Sequence, residues 1–377
     1  MTQNKKRFSK KERKKMMRSF DLTKIVLPIL IGVSVLVFLF YWQFDREEFD
    51  KISWTGNTLI FLIVAVLFLL SRIAFYSWRL YILSEGEFSF SKCIQLIFLW
   101  EFSSAVSPTN VGGSAVALFI LSQEKIGAAK TTAIVIYTIV LDTLFFLLCI
   151  PVWVFIFGAH ILGPDDQNFG GWQITLLSAY GVMFLYGAFF AYGLFIKPQA
   201  LQRMLTFISR IRFLKRLEDR IQQLGEDIVV TSKALMKRSF NYHMGAFLST
   251  VGAWSCRFFL IISLIIAITG NVPLNLSAIS ELYARIQTLF VMMAVSPTPG
   301  GAGFAEILFG NILADFVPSG ISLVVASLWR LLAYYFFLLM GIIIIPQWLR
   351  TILKNRKAIK KNKSKIEKQT SGESPIS

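Results

Sequence analysis

Apolar residues in this chain gather in long blocks; they neither recur along one helical face nor alternate as in a strand. Six blocks, roughly 25–42, 57–83, 131–158, 174–196, 243–269 and 321–346, match the about 20 helical residues that cross a bilayer core. Each predicts a full transmembrane helix. Trp42, Trp54, Trp78, Trp153, Trp172 and Trp348 fall toward the block ends, where amphipathic rings settle at the membrane–water boundary. Two further apolar regions, 93–122 and 282–318, are interrupted by Ser107-Pro108-Thr109-Asn110-Val111-Gly112-Gly113 and Ser296-Pro297-Thr298-Pro299-Gly300-Gly301-Ala302-Gly303. Proline removes a backbone donor and glycine favours non-helical backbone. Each region is therefore predicted as two half-helices that meet at mid-membrane and turn back.

Between 198 and 238 the pattern changes. Leu201, Met204, Leu205, Ile208, Ile211, Leu214, Leu217, Ile221, Leu224 and Ile228 recur at helical spacing with Arg and Lys between them. That spacing predicts an amphipathic helix on the membrane surface or against the bundle.

Composition agrees with the blocks. Of 377 residues 55% are hydrophobic and only 16% charged, where soluble domains carry roughly a quarter charged residues. The net charge of +17 is concentrated at the ends: ten Lys/Arg against two acids in 1–24, and nine against two in 347–377. Basic segments beside membrane spans mark the cytoplasmic side and attract anionic lipid headgroups. No folded domain accompanies the charge, which disfavours a nucleic-acid partner. The tails, 1–24 and 351–377, are expected to be disordered and to flank a transmembrane domain over 25–350. The first apolar run lacks a small-residue cleavage site and reads as an uncleaved anchor. Cys93, Cys149 and Cys256 stand apart in apolar stretches, so neither a disulfide, a metal nor a cofactor is implied.

Charge also sets the topology. The linkers 43–56, 159–173 and 271–280 are acidic or lack Lys/Arg, whereas 197–242 carries ten Lys/Arg against four acids. With both termini cytoplasmic, the six spans alternate consistently only if each broken region enters and leaves on one side. The first would dip in from the cytoplasm and the second from outside. The expected fold is all-α and polytopic: about six full transmembrane helices plus two re-entrant broken-helix hairpins, in a plasma or inner cell membrane.

One pentapeptide occurs twice, at Ala105-Val106-Ser107-Pro108-Thr109 and Ala294-Val295-Ser296-Pro297-Thr298, each followed by a double glycine. Repeat one, about 57–158, and repeat two, about 243–346, would then cross the membrane in opposite senses. Such inverted repeats with discontinuous helices recur among secondary transporters. The Pro-Thr-Asn-Val-Gly-Gly segment and the Ser-Pro-Thr-Pro-Gly-Gly-Ala-Gly-Phe-Ala-Glu segment (296–306) resemble the signature segments of the flippase-like membrane family, whose best-known member is the transmembrane domain of lysylphosphatidylglycerol synthase. The resemblance covers roughly 20–350. It implies the flippase-like part, which moves a lipid between leaflets, without the soluble synthase domain, since only a basic tail follows Leu349. It does not imply lysylphosphatidylglycerol as the substrate.

Ionisable residues inside the apolar blocks are few: Arg72, Glu101, Asp142, Arg257, Arg285, Glu306 and Arg330. Each costs at least about 2.5–3.5 kcal/mol near the bilayer centre, so such residues face a bundle interior or a wet cavity. Arg79, near a span end, reads as snorkelling. Arg72 and Arg257 recur in both repeats, and a guanidinium can grip a lipid phosphate through two hydrogen bonds. Glu101 and Glu306 lie close to the breaks, where each could hold an exposed amide or an arginine, or meet a cationic headgroup. Half-helix ends expose unpaired N–H groups that can receive an anion. The candidate headgroup site is therefore Arg72, Glu101, Ser107, Pro108, Thr109, Asn110, Gly112, Gly113, Arg257, Arg285, Ser296, Pro297, Thr298, Pro299, Gly300, Gly301, Gly303 and Glu306. Counting forward 30 residues from Gly112 and from Gly300 reaches Asp142 and Arg330. This match predicts an ion pair between them at the repeat interface.

These features favour movement of a phospholipid or lipid-linked headgroup between leaflets without ATP. A membrane-embedded lipid-modifying enzyme or accessory subunit is the second class, disfavoured by the lack of a nucleotide-binding motif. A structural or regulatory membrane protein is the third. Expected partners are membrane phospholipids, with anionic lipids at the tails; a separate lipid-synthesising enzyme and a homodimer stay open.

Overall fold

The computed structural model describes residues 41, 46–50, 52, 54–106, 110–124, 126–158, 161, 172–209, 218–270, 272–294, 296, 301 and 303–352. Among them every regular element is helical: α1 (Arg46–Asp50), α2 (Gly56–Leu83), α3 (Phe90–Val106), α4 (Asn110–Ser122), α5 (Ala128–Phe157), α6 (Trp172–Ala191), α7 (Pro198–Ser209), α8 (Glu218–Met236), α9 (Phe240–Thr269), α10 (Leu276–Met293), α11 (Phe304–Ile312) and α12 (Ser319–Arg330). A π-helical turn, Tyr192–Ile196, extends α6. Another, Leu331–Tyr335, carries α12 on into helix that reaches Ile352.

Five of these helical stretches are long and apolar enough to cross a membrane: Gly56–Leu83, Ala128–Phe157, Ile174–Ile196, Phe240–Thr269 and Ser319–Ile352. Their outward faces stay apolar: Leu59, Ile63, Leu67 and Leu70 on α2 are each more than half exposed. Such a surface is unfavourable in water and suits hydrocarbon. The expected span at 25–42 lies outside the described residues apart from Tyr41, and so do both tails.

The opening helices of the two repeats, α2 and α9, pack along each other. Phe68 stacks on Phe259 with ring centroids 5.4 Å apart. A Cβ on Gly252 would lie 2.7 Å from the Phe75 ring, and one on Gly245 would lie 3.3 Å from Ile82. Each advance of seven residues on α2 is a retreat of seven on α9. The two helices are therefore antiparallel and packed with a coiled-coil repeat, and glycine lets their backbones approach.

Each broken region folds back on itself. At one end of the bundle, Lys92 near the start of α3 meets Glu124 just past α4 at 2.7 Å. Trp348, late in the α12 extension, donates to the same Glu124 carboxylate at 2.8 Å. The second hairpin closes at the opposite end, where Arg285 of α10 donates to the Ile312 carbonyl at 3.2 Å and pairs with Asp315 at 2.6 Å. The hairpins thus open toward opposite ends of the bundle. Their tips converge on one stretch of the last helix: Tyr334 donates to the Ala105 carbonyl of the first (3.1 Å), and Arg330 pairs with Glu306 of the second (2.8 Å).

The core divides in two along the bundle axis. One apolar cluster holds Leu69, Phe145, Phe258 and Trp329; the other holds Leu80, Leu96, Leu141 and Leu338. The helices α2, α5 and α9 and the long last helix contribute to both, and Arg72, Arg79 and Arg330 are buried where the clusters meet.

The segment 198–238 differs from the expectation of one amphipathic helix. It forms two helices, α7 and α8, that pack together, with α8 also lying against α5. Gly225 explains the close approach: a Cβ there would sit 2.9 Å from the Gln202 side chain and 3.3 Å from its Cα.

Candidate functional site

On α2, Arg72, Tyr76 and Arg79 fall on one face at intervals of four and three. On α9, Thr250, Trp254 and Arg257 repeat that spacing. Because the helices are antiparallel, the two stripes face each other in reverse order, Arg72 level with Arg257 and Arg79 level with Thr250. Glu101, from the first hairpin, reaches the first of these levels. Its Oε2 accepts from Arg72 Nη2 at 2.5 Å and from Arg257 Nη2 at 3.5 Å. One carboxylate oxygen therefore bridges the two repeats. At the second level, Asp142 Oδ1 accepts from Arg79 Nη1 (2.5 Å) and from Trp254 Nε1 (3.0 Å), while Arg79 also donates to Thr250 Oγ1 (3.1 Å).

Aromatic rings line this band. Tyr76 lies between two guanidiniums, 5.5 Å from Arg72 and 4.7 Å from Arg79. The Arg257 guanidinium sits 4.7 Å over Trp254 and 5.5 Å from Phe290. Such cation–π contacts partly replace the water a buried guanidinium loses. Compensation stays incomplete at Arg72, which is 1% exposed. Its Nε and Nη1 have no hydrogen-bond partner among the described residues. Counted together, three guanidiniums face two carboxylates, leaving an excess of one positive charge. Arg257, Glu101 and Asp142 keep side-chain exposures of 18%, 19% and 28%, so the band is reachable on one side.

The second hairpin has a different chemistry. Glu306 Oε2 accepts from the Gly303 N–H at 2.8 Å, capping its own half-helix, and Oε1 accepts from Arg330 Nε at 2.8 Å. Gly301 and Gly303 hold φ of +70° and +80°, left-handed backbone that glycine tolerates and other residues resist. Of the two readings of Glu306, the structure brings about the pairing with an amide and an arginine. The first turn of α11 thus already has its anion.

The remaining candidates scatter. Arg285 lies at the open end of the second hairpin with Glu281 (3.0 Å) and Asp315, apart from the mid-height band. Asn110, Gly112 and Gly113 open α4. Ser296 donates its backbone N–H to the Met293 carbonyl at 3.0 Å. Ser107, Pro108, Thr109, Pro297, Thr298, Pro299 and Gly300 lie outside the described residues. The expected Asp142–Arg330 pair is not the arrangement found. Asp142 turns to Arg79 and Arg330 turns to Glu306, because in each case an opposite charge lies closer across a neighbouring helix. Arg79 corrects a second expectation: it is buried against Asp142 and Thr250, so it does not snorkel. Its position one heptad beyond Arg72, with Tyr76 between, was the available signal. Among the described residues no three His, Cys, Asp or Glu side chains gather to hold a metal ion.

A model of the lysylphosphatidylglycerol synthase TM region matches residues 25–341. The chain belongs to this family. The match takes in both hairpins and every residue of the mid-height band. A UPF0104 membrane protein of Archaeoglobus fulgidus is 22% identical over 324 residues, covering 84% of this chain and 95% of that one. No solved structure matches the chain. Membership in the lysylphosphatidylglycerol synthase TM region family, together with the five long apolar helices, makes this an all-helical membrane protein.

Proposed function

We propose that the protein moves a phospholipid, or a lipid-linked headgroup, between the leaflets of a cell membrane without ATP, holding the phosphate at Arg257 and Arg72. One observation carries this reading: two hairpins that open toward opposite ends converge on the same turn of the last helix, beside a positively charged band at mid-height. A lipid headgroup arriving from either side would meet the same charges, which is the geometry alternating access requires.

In this reading the hairpins are re-entrant, the first from the cytoplasm and the second from outside. Six full spans include 25–42, and both termini are cytoplasmic. The end bearing Lys92, Lys130, Lys237 and Arg238 faces the cytoplasm, as short basic loops do. Membrane phospholipids are the partners, and anionic lipids gather at the tails.

The test is exchange of labelled phospholipids between leaflets of proteoliposomes lacking ATP. The protein should accelerate exchange over empty liposomes, and Arg257→Ala should slow it while the protein stays folded. No acceleration across anionic, zwitterionic and aminoacylated lipids would end the reading. Cysteines placed singly at Thr231 and Asn275 check the orientation in intact cells. An impermeant thiol reagent should label position 275 and spare position 231.

A further inference from the structure

Taking the proposed lipid movement as given, we infer that the headgroup handled here is an anionic phosphate without an amine, and that it takes the place on Arg257 now held by Glu101.

Three guanidiniums and two carboxylates leave the band one positive charge in excess, which a phosphodiester or other monoanion would neutralise. A lysylated headgroup, with two ammonium groups on one phosphodiester, carries net positive charge and would add to the excess. Its ammonium would also need a carboxylate, and both are already engaged by arginines: Asp142 Oδ1 accepts from Arg79 and Trp254, and Glu101 Oε2 from Arg72 and Arg257. A desolvated ammonium beside arginines, without a partner of its own, is strongly disfavoured.

The two distances at Glu101 identify the seat. The contact with Arg72 is short, 2.5 Å, and made to a guanidinium only 1% exposed; that with Arg257 is long, 3.5 Å, and made to one 18% exposed. Glu101 is thus anchored on one repeat and only leans on the other. A phosphate can displace it from Arg257 without disturbing Arg72. The guanidinium of Arg257, 4.7 Å over Trp254, then presents its fork to two phosphate oxygens. Arg72, whose Nε and Nη1 lack hydrogen-bond partners among the described residues, adds positive charge behind the seat. Glu101 is the internal carboxylate that lowers the cost of these charges.

The experiment uses the full chain. Native mass spectrometry from mixed micelles would compare retention of phosphatidylglycerol, phosphatidylethanolamine and lysylphosphatidylglycerol, and proteoliposome exchange would be run on the same three lipids. Phosphatidylglycerol should be retained best. Glu101→Gln removes the competing carboxylate and should tighten its retention by about tenfold, while slowing its exchange. Arg257→Gln should abolish the preference. Weaker retention in Glu101→Gln, or a preference for the lysyl lipid, overturns the proposal. Displacement by inorganic phosphate would make this a site for soluble anions and overturn the lipid assignment. Should either variant misfold, competition among the three lipids on the unaltered protein still decides the substrate class. Exchange of only the lysyl or zwitterionic lipid would sink this inference and leave lipid movement standing. Arg257-dependent retention of phosphatidylglycerol with no exchange of any lipid would do the reverse.

Discussion

The two hairpins carry the same pentapeptide and a glutamate close to the break, yet they use that glutamate differently. In the second hairpin Glu306 stands after the break, on the half-helix it caps, and its other oxygen takes Arg330 from the last helix. Both partners are nearly sealed from solvent, with side-chain exposures of 4% and 7%. In the first hairpin Glu101 stands before the break and divides one oxygen between Arg72 and Arg257. A carboxylate that satisfies the chain next to it becomes architecture. One suspended between two helices of opposite sense, 19% exposed and held at 3.5 Å on one side, is available to exchange partners. Duplicated sequence has thus supplied two tips held differently, one meeting the last helix at Arg330 and the other at Tyr334 in the π-helical turn that follows, a feature frequent at functional sites.

The contrast should be largest in stability. Glu306→Ala leaves the Arg330 guanidinium buried with its carboxylate removed, a change that typically costs about 3–5 kcal/mol; thermal unfolding in detergent should drop accordingly. Arg257→Gln, which takes from Glu101 only its longer, part-exposed contact and leaves the Arg72 pair in place, should cost less than half as much. Equal losses would erase the distinction between the tips. A steric probe reaches the first hairpin alone. A Cβ on Gly341 would lie 2.0 Å from the Phe102 ring, so Gly341→Leu should destabilise by at least the about 1–3 kcal/mol typical of overpacking. Phe102→Ala in the same chain should recover part of the loss, and no recovery would mean the first hairpin is not seated there.

The charge pairings offer a finer comparison. A double-mutant cycle on Arg79→Gln and Asp142→Asn should show coupling of about 0.5–3 kcal/mol. The cycle on Asp142→Asn and Arg330→Gln should be additive within about 0.5 kcal/mol. The opposite ranking would restore the pair that simple counting along the repeats suggests. The smallest effect is expected from Tyr334→Phe, which takes one hydrogen bond from the Ala105 carbonyl at the first tip. It should lower stability by about 1 kcal/mol, with Arg330–Glu306 unaffected. A loss as large as that of Glu306→Ala would show that the tips are coupled through the π turn.

Much of this was readable along the chain. Long apolar blocks, two Pro/Gly breaks in a repeated pentapeptide, and rare charges within hydrocarbon-length segments placed the helices. They also singled out Arg72, Glu101, Arg257 and Glu306 as residues whose burial needs a reason. What the sequence by itself determined is the local part: where helix can persist, where proline and glycine stop it, and which charges lie too deep to be solvated. Only the tertiary structure decided who answers each charge. Asp142 meets Arg79 instead of Arg330, and Glu101 is shared between Arg72 and Arg257, because a buried ion pairs with the nearest opposite charge in space. That neighbour is set by how α2 and α9 cross and by where each hairpin tip comes to rest, distances of a few ångströms between segments far apart in sequence.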